Sequence, residues 1–271
     1  MNPLNETDIA RLKGFARLFL FEPQAQDLRV EFTRLFTLNV FPYASVYLDA
    51  EALLNTQTTA RVQVAYARTA FEPDPALAIG APDHFGVELL FVTHLWETGR
   101  AADEFLNAEV LPWAGIFLHA VERNAHEEYY REAAREAHAW LMAQTGPSDW
   151  TLAPDPLEAD DLDAVVARLI TPSRTGLFLS KADLARIARD VNLPLGFGDR
   201  ALMLTSLFRA AGEYERVSNL LGALKAEAHA WNEFYAAEAQ EFPAGANIAQ
   251  NWLRRTTATL EWLKGMEQVA V

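Results

Sequence analysis

The polar residues whose spacing could support chemistry stand in one short run. Pro82, Asp83 and His84 are followed four residues later by Glu88. Proline suits the first turn of a helix, so the sequence predicts a helix from Pro82 to about Thr98. His84 and Glu88 then share one face, where they could hydrogen-bond each other. Asp83 falls in the first turn, where a carboxylate suits the helix N-terminus.

The rest of this predicted helix is apolar around most of its circumference. Only Gly86, Thr93 and Glu97 offer a solvent-facing side, so we expect the helix to be largely buried. Burying an ionisable group is costly unless the group is paired. His84 and Glu88 therefore indicate either a structural pair that cross-links helices or a functional site.

Catalysis by these residues would need a metal. A metal-dependent helical hydrolase using Asp83, His84 and Glu88 is one alternative, because His and carboxylate four residues apart is usable ligand geometry. The chain contains no Glu-x-x-His or His-Glu-x-x-His pattern that would complete such a site. It also has no cysteine, no phosphate-binding loop and no nucleophile elbow. We therefore expect no enzyme activity, no cofactor and no metal.

Composition narrows the class of partner. The 271 residues are 51% apolar and 22% charged, as in ordinary globular proteins. The formal net charge of −14 excludes nucleic acid as a favoured partner and would attract a basic peptide, although solubility alone is a simpler explanation of it. No apolar run approaches the roughly 20 residues that span a bilayer, and no secretory signal opens the chain. The predicted location is the cytoplasm.

Helical periodicity dominates the sequence and predicts an all-α fold, a compact multi-helix bundle of about ten helices. The first helix begins between Asn5 and Asp8 and runs to Phe21, whereas residues 42–48 are predicted to be an ordered loop. Asp49 is a candidate N-cap for a helix reaching about Arg68. A Pro- and Asp-rich linker near residues 146–156 separates a domain at 1–146 from a helical extension at 150–271. The extension could also pack on the first domain as one unit.

Four segments in order resemble a known family. They are Glu-Phe-Thr-Arg-Leu-Phe at 31–36, Pro-Tyr-x-Ser-Val-Tyr-Leu-Asp at 42–49, Pro-Asp-His-Phe-Gly-Val-Glu-Leu at 82–89, and a Phe-Leu, Leu-Pro-Trp, Phe, Tyr-Tyr series between 105 and 130. Together they resemble the TorD/DmsD/NarJ family of redox-enzyme maturation chaperones over about residues 8–145. Residues 150–271 are an addition to the usual family chain.

The resemblance implies an all-helical cytoplasmic chaperone without chemistry of its own. Its expected partners are the twin-arginine signal peptide and the apo form of a molybdopterin oxidoreductase, which it would assist in cofactor insertion and assembly before export. Carried over position by position, the expected peptide-binding residues are Tyr43, Ser45, Tyr47, Asp83, His84, Glu88, Pro112 and Trp113. A general helical assembly adaptor that reads no signal peptide is a further alternative, and both a monomer and a dimer fit the sequence.

Overall fold

Helices make up the architecture of this chain. The computed structural model describes residues 4–75, 77, 80–146, 148–152, 159 and 161–269, and within these ranges the only β-type contact is an isolated bridge between Tyr43 and His84. The predicted all-α class is confirmed. The chain divides into two compact units, unit 1 (Met1–Trp150) and unit 2 (Thr151–Val271). None of the described helices is both long and apolar enough to cross a bilayer.

The first helix, α1 (Glu6–Leu20), forms where the sequence predicts it. The Asn5 side chain accepts hydrogen bonds from the backbone N–H groups of Thr7 (2.9 Å) and Asp8 (3.2 Å). The Asp8 carboxylate accepts in return from the Asn5 N–H at 3.0 Å. This reciprocal capping box satisfies orphan donors at the helix start with residues adjacent in sequence. Local sequence is therefore sufficient to define this boundary.

The next elements depart from the predicted boundaries. Helix α2 (Gln26–Phe32) runs into a π-helical turn at Thr33–Asn39, and a short helix α3 (Ala44–Leu48) replaces most of the predicted loop. Helix α4 spans Gln57–Thr69, so the predicted start at Asp49 is wrong. Asp49 nevertheless caps α4 from a distance, because its carboxylate accepts the N–H of Thr58 at 2.9 Å.

Helix α5 (Phe85–Glu97) begins after the Pro-Asp-His run, so the predicted start at Pro82 is also wrong. It ends as predicted, with Gly99 at φ +67° in the left-handed conformation that favours glycine after a helix. The expected solvent side is mostly buried. Gly86 is inside the protein, and a Cβ added there would lie 2.5 Å from the Leu20 Cγ of α1. Glycine thus lets α5 pack closely on α1.

Unit 1 is completed by four further helical segments. They are α6 (Ala102–Phe105), a π-helical turn at Leu106–Val110, α7 (Leu111–Asn124) and α8 (Glu128–Ala143). Pro112 lies where the π-helical turn continues into α7. Helix α7 is buried over most of its length and packs against α8.

Unit 2 contains the remaining helices. They are α9 (Leu162–Leu169), α10 (Pro172–Thr175), α11 (Lys181–Asp190), α12 (Arg200–Glu213), α13 (Val217–Glu241), a 3-10 turn (Pro243–Gly245) and α14 (Ala246–Val269). The predicted linker residues Pro154, Asp155 and Pro156, and the predicted helix start at Leu157, lie outside the described residues. At the start of α12, Asp199 caps the helix and the buried Arg200 guanidinium lies 4.9 Å over the Phe178 ring.

A glycine turn joins the two longest helices of unit 2 to α10. Gly176 has φ +74°, and a Cβ there would lie 2.6 Å from a methyl group of Thr256 on α14. The Tyr235 hydroxyl of α13 donates to the Gly176 carbonyl at 2.9 Å, and its ring stacks on Trp252 of α14. Both the conformation and the close approach therefore require glycine at this position.

The close packing of α5 on α1 gives a stability prediction. Gly86→Ala places a methyl group against Leu20 and 2.8 Å from the Ala16 carbonyl, which is backbone and cannot rotate away. We expect it to lower the free energy of unfolding by about 1–3 kcal/mol, as overpacking does. The matched control is Gly14→Ala on α1, where an added Cβ meets open space and helix propensity predicts a gain of up to about 1 kcal/mol.

Urea unfolding followed by circular dichroism measures both changes. Equal stability changes in Gly86→Ala and Gly14→Ala would show that the contact between α1 and α5 is not as close as described.

Candidate functional site

Two segments far apart in sequence form the centre of the candidate site. The Phe85 N–H donates to the Pro42 carbonyl at 2.8 Å, and the Ala44 N–H donates to the Asp83 carbonyl at 3.0 Å. This antiparallel exchange makes the isolated bridge between Tyr43 and His84. The two predicted motifs at 42–49 and 82–89 are thereby brought together by backbone hydrogen bonds.

Asp83 ties a third segment to this pair. Its side chain is fully buried, and each carboxylate oxygen accepts a hydrogen bond. Oδ2 accepts the Ser45 N–H at 2.7 Å, which caps α3, and Oδ1 accepts the Thr59 hydroxyl of α4 at 2.9 Å. A buried carboxylate is tolerated when its oxygens are hydrogen-bonded in this way. Asp83 therefore acts as a structural cross-link between α3, α4 and the start of α5.

His84 is the N-cap of α5, not a partner of Glu88. Its Nδ1 accepts the Gly86 N–H at 3.1 Å, and its ring meets the edge of Tyr43 at 5.2 Å between centroids. Burial lowers the pKa of His84 to about 3, so the imidazole is neutral near neutral pH. The hydrogen bond that the sequence allowed between His84 and Glu88 is not formed.

Glu88 lies deep in unit 1 with no exposed surface. Its Oε2 accepts from the Trp113 indole N–H at 3.2 Å, and no group among the described residues pairs with Oε1. Burial raises the pKa of Glu88 well above its usual value, and the charge of Asp83 raises it further. Burial therefore favours the protonated carboxyl group over the ionised form.

The remaining predicted site residues belong to an aromatic core behind these groups. Tyr47 stacks on Trp113 with 5.4 Å between ring centroids, and Phe85 meets the Trp113 ring edge-on. Seven of the eight predicted binding residues are buried, all except Tyr43. His84 is one of them, and the other six are Ser45, Tyr47, Asp83, Glu88, Pro112 and Trp113. In this conformation these six side chains lie in the core of unit 1.

A pocket of about 340 Å³ opens beside Tyr43 and His84, the two predicted residues that line it. The rest of its lining is mainly aromatic and apolar, with one carboxylate: Phe19, Leu20, Phe21, Glu22, Phe32, Phe36, Thr37, Pro42 and Leu77. Sequence analysis missed these residues as a site. A usable signal was present in Phe32 and Phe36, which belong to the segment 31–36 that carries the family resemblance.

The π-helical turn at Thr33–Asn39 positions part of this lining. Its wider backbone ends with the Val40 N–H donating to the Leu35 carbonyl at 2.6 Å, and the Asn39 side chain donates to the Arg34 carbonyl at 2.8 Å. π-Helical turns interrupt regular side-chain spacing and occur often at functional sites. Here the turn places Phe36 inward and leaves Thr37 exposed at the pocket.

The geometry gives no support to a metal-dependent hydrolase. Across the described part of the chain, no three or more His, Asp or Glu side chains are grouped so that they could hold a metal ion. Both oxygens of Asp83 and the Nδ1 of His84 accept hydrogen bonds from the protein itself. The donor set of Asp83, His84 and Glu88 is thus used to hold the fold.

The burial of Glu88 predicts a specific pH dependence of stability. A carboxyl group whose pKa rises on folding costs stability as pH increases from about 4.3, its unfolded value, towards its folded value. Glu88→Gln removes this cost, so its free energy of unfolding relative to wild type should increase by up to about 1.4 kcal/mol for each pH unit in that interval. Denaturant unfolding at pH 5, 6, 7 and 8 measures the difference.

Glu104→Gln, which removes an exposed carboxylate of α6, is the matched control. A difference between Glu88→Gln and wild type that is constant over pH 5–8 would contradict a buried Glu88 whose pKa is raised by folding.

Comparison with known proteins bears on the first half of the chain. Residues 3–119 match the family model described as nitrate reductase delta subunit, and no curated protein matches the chain. The matched range includes the paired segments, Asp83, Glu88, Trp113 and the described pocket lining. The predicted family resemblance is thereby confirmed. Residues 3–119 are therefore similar to the nitrate reductase delta subunit family, a family of redox-enzyme maturation chaperones.

Proposed function

We propose that this protein binds the twin-arginine signal peptide of a molybdopterin oxidoreductase and retains the apo enzyme in the cytoplasm until its cofactor is inserted. The family of residues 3–119 supports the chaperone class. The observation that carries the peptide-binding role is the aromatic pocket beside Tyr43 and His84. A chaperone needs an apolar surface that remains available in its folded state, and this pocket provides one.

The pocket has the size and chemistry of a site for an apolar side chain. Its volume of about 340 Å³ falls at the lower end of the range for ligand pockets. Phe21 stands at its edge with 52% of its surface exposed, although such a ring loses favourable burial energy in water. An exposed aromatic ring continuous with an apolar pocket is typical of a surface that a partner covers.

Charge favours a basic peptide at this site. Unit 1 carries 21 acidic and 11 basic residues, a formal net charge of −10, and the carboxylate of Glu22 lines the pocket. Such a field attracts a cationic segment and raises its rate of association, more strongly at low salt than at high salt. Arginines next to an apolar stretch fit this combination.

The eight predicted residues divide into two roles in this proposal. Tyr43 and His84 contact the peptide, because they line the pocket. The other six residues support the pocket wall, since they are buried and do not line the pocket in this conformation. Tyr47→Ala would therefore remove a core ring and report on folding, so it is a poor test of binding.

Substitutions at the pocket edge test the proposal without disturbing the core. We expect Phe21→Ser to weaken binding of a synthetic twin-arginine signal peptide about tenfold, the equivalent of roughly 1.4 kcal/mol. Glu22→Gln should weaken it about threefold and reduce its dependence on salt, because one attractive charge is lost. Isothermal titration calorimetry at 50 and 300 mM NaCl measures both effects, with peptides taken from oxidoreductases encoded in the same genome.

Val64→Ser is the matched control, since Val64 is a half-exposed apolar residue of α4 outside the pocket lining. Equal weakening by Phe21→Ser and Val64→Ser would contradict binding at the pocket. If no signal peptide binds but a mature, signal-less oxidoreductase cross-links to the protein, it is an assembly adaptor and the proposal is wrong.

A further inference from the structure

His84 both caps the start of α5 and lines the pocket. One side of the ring faces the protein, where Nδ1 accepts the Gly86 N–H at 3.1 Å. The same side chain lines the pocket and keeps 5% of its surface exposed. The ring is therefore held in one orientation by the start of α5, with its second nitrogen left for another contact.

The hydrogen bond at Nδ1 fixes which nitrogen carries the proton. A ring nitrogen that accepts a hydrogen bond has no proton of its own, so a neutral His84 is protonated at Nε2. Burial keeps the ring neutral near neutral pH by lowering its pKa to about 3. Within the described part of the chain, no acceptor pairs with Nε2. His84 thus presents one oriented N–H donor with no partner among the described residues.

The surroundings of this donor limit what can satisfy it. A nearly buried donor without an acceptor is costly, and most of the pocket lining is aromatic or aliphatic. The Tyr43 hydroxyl already accepts the Gly80 N–H at 2.9 Å. A ligand that fills the pocket excludes water from Nε2, so the ligand itself must supply the acceptor. A peptide has such an acceptor at every residue, its main-chain carbonyl.

We propose that the Nε2–H of His84 donates a hydrogen bond to a main-chain carbonyl of the bound peptide, beside the residue whose apolar side chain fills the aromatic pocket. This inference rests on the proposed peptide-binding function and specifies how the peptide is recognised. The contact selects peptide conformation as well as sequence. Carbonyls inside a helix are already paired, so the segment at His84 is extended or is the last turn of a helix.

Two measurements test this contact separately from peptide binding itself. Nitrogen-15 NMR of the free, full-length protein reports the His84 tautomer directly, with the signal assigned by its loss in His84→Asn. Asparagine keeps an oxygen that can cap the Gly86 N–H, so this variant retains the start of α5. We expect the Nε2–H tautomer at pH 7. An Nδ1–H tautomer would overturn the inference whether or not any peptide binds.

Replacing single peptide bonds of a synthetic twin-arginine signal peptide by esters weakens one carbonyl acceptor at a time. We expect one position at which the ester weakens binding to wild-type protein five- to tenfold but changes binding to His84→Asn less than twofold. An ester scan with equal effects on both proteins would overturn the inference while leaving peptide binding intact. Failure of the unmodified peptide to bind wild-type protein would overturn the proposed function and, with it, this contact.

Discussion

The buried carboxylate of Asp83 is the constraint on which the candidate site depends. It accepts hydrogen bonds from Ser45 and Thr59, and its own backbone carbonyl accepts the Ala44 N–H. An uncompensated carboxylate in this position would cost several kcal/mol, so the three segments cannot separate without exposing or neutralising it. Tyr43 and His84 are placed as neighbours because they flank these hydrogen bonds on the two paired segments. Asp83 therefore determines the geometry of the pocket wall, although it does not line the pocket.

The same use of distant carboxylates explains where sequence analysis succeeded and where it failed. The start of α1 was predictable because Asn5 and Asp8 cap it from within a few residues. The starts of α3 and α4 are capped by the carboxylates of Asp83 and Asp49. The N–H groups that they accept, of Ser45 and Thr58, lie 38 and 9 residues away in sequence. Periodicity and local capping signals carry no information about such contacts. The all-α class was therefore predictable, whereas these helix boundaries required the tertiary structure.

The candidate site divides in a similar way. Its recognisable motif, Pro82 to Leu89, supplies buried groups with unusual titration behaviour, and unusual polar residues in an apolar helix are visible in a sequence. The pocket lining includes four phenylalanines: Phe19 on α1, Phe21 directly after α1, Phe32 at the end of α2 and Phe36 in the π-helical turn. A phenylalanine that fills a core and one that borders a pocket look alike in sequence. Only the packing of α1 against the turn at 33–39 distinguishes them.

Substitutions of the buried residues behind the pocket and of the residues at its exposed edge are expected to have different effects. Asp83, Glu88 and Trp113 are buried behind the pocket, so their replacement mainly changes the free energy of unfolding. It would affect the proposed peptide binding only by displacing the pocket wall. Phe21 and Glu22 lie at the exposed edge, where a substitution changes the surface of the pocket at little cost to folding. In the proposed binding mode His84 belongs to both sets, since its Nδ1 caps α5 and its Nε2–H donates to the bound peptide. Substitutions that preserve its capping acceptor are therefore required before any loss of binding can be attributed to recognition.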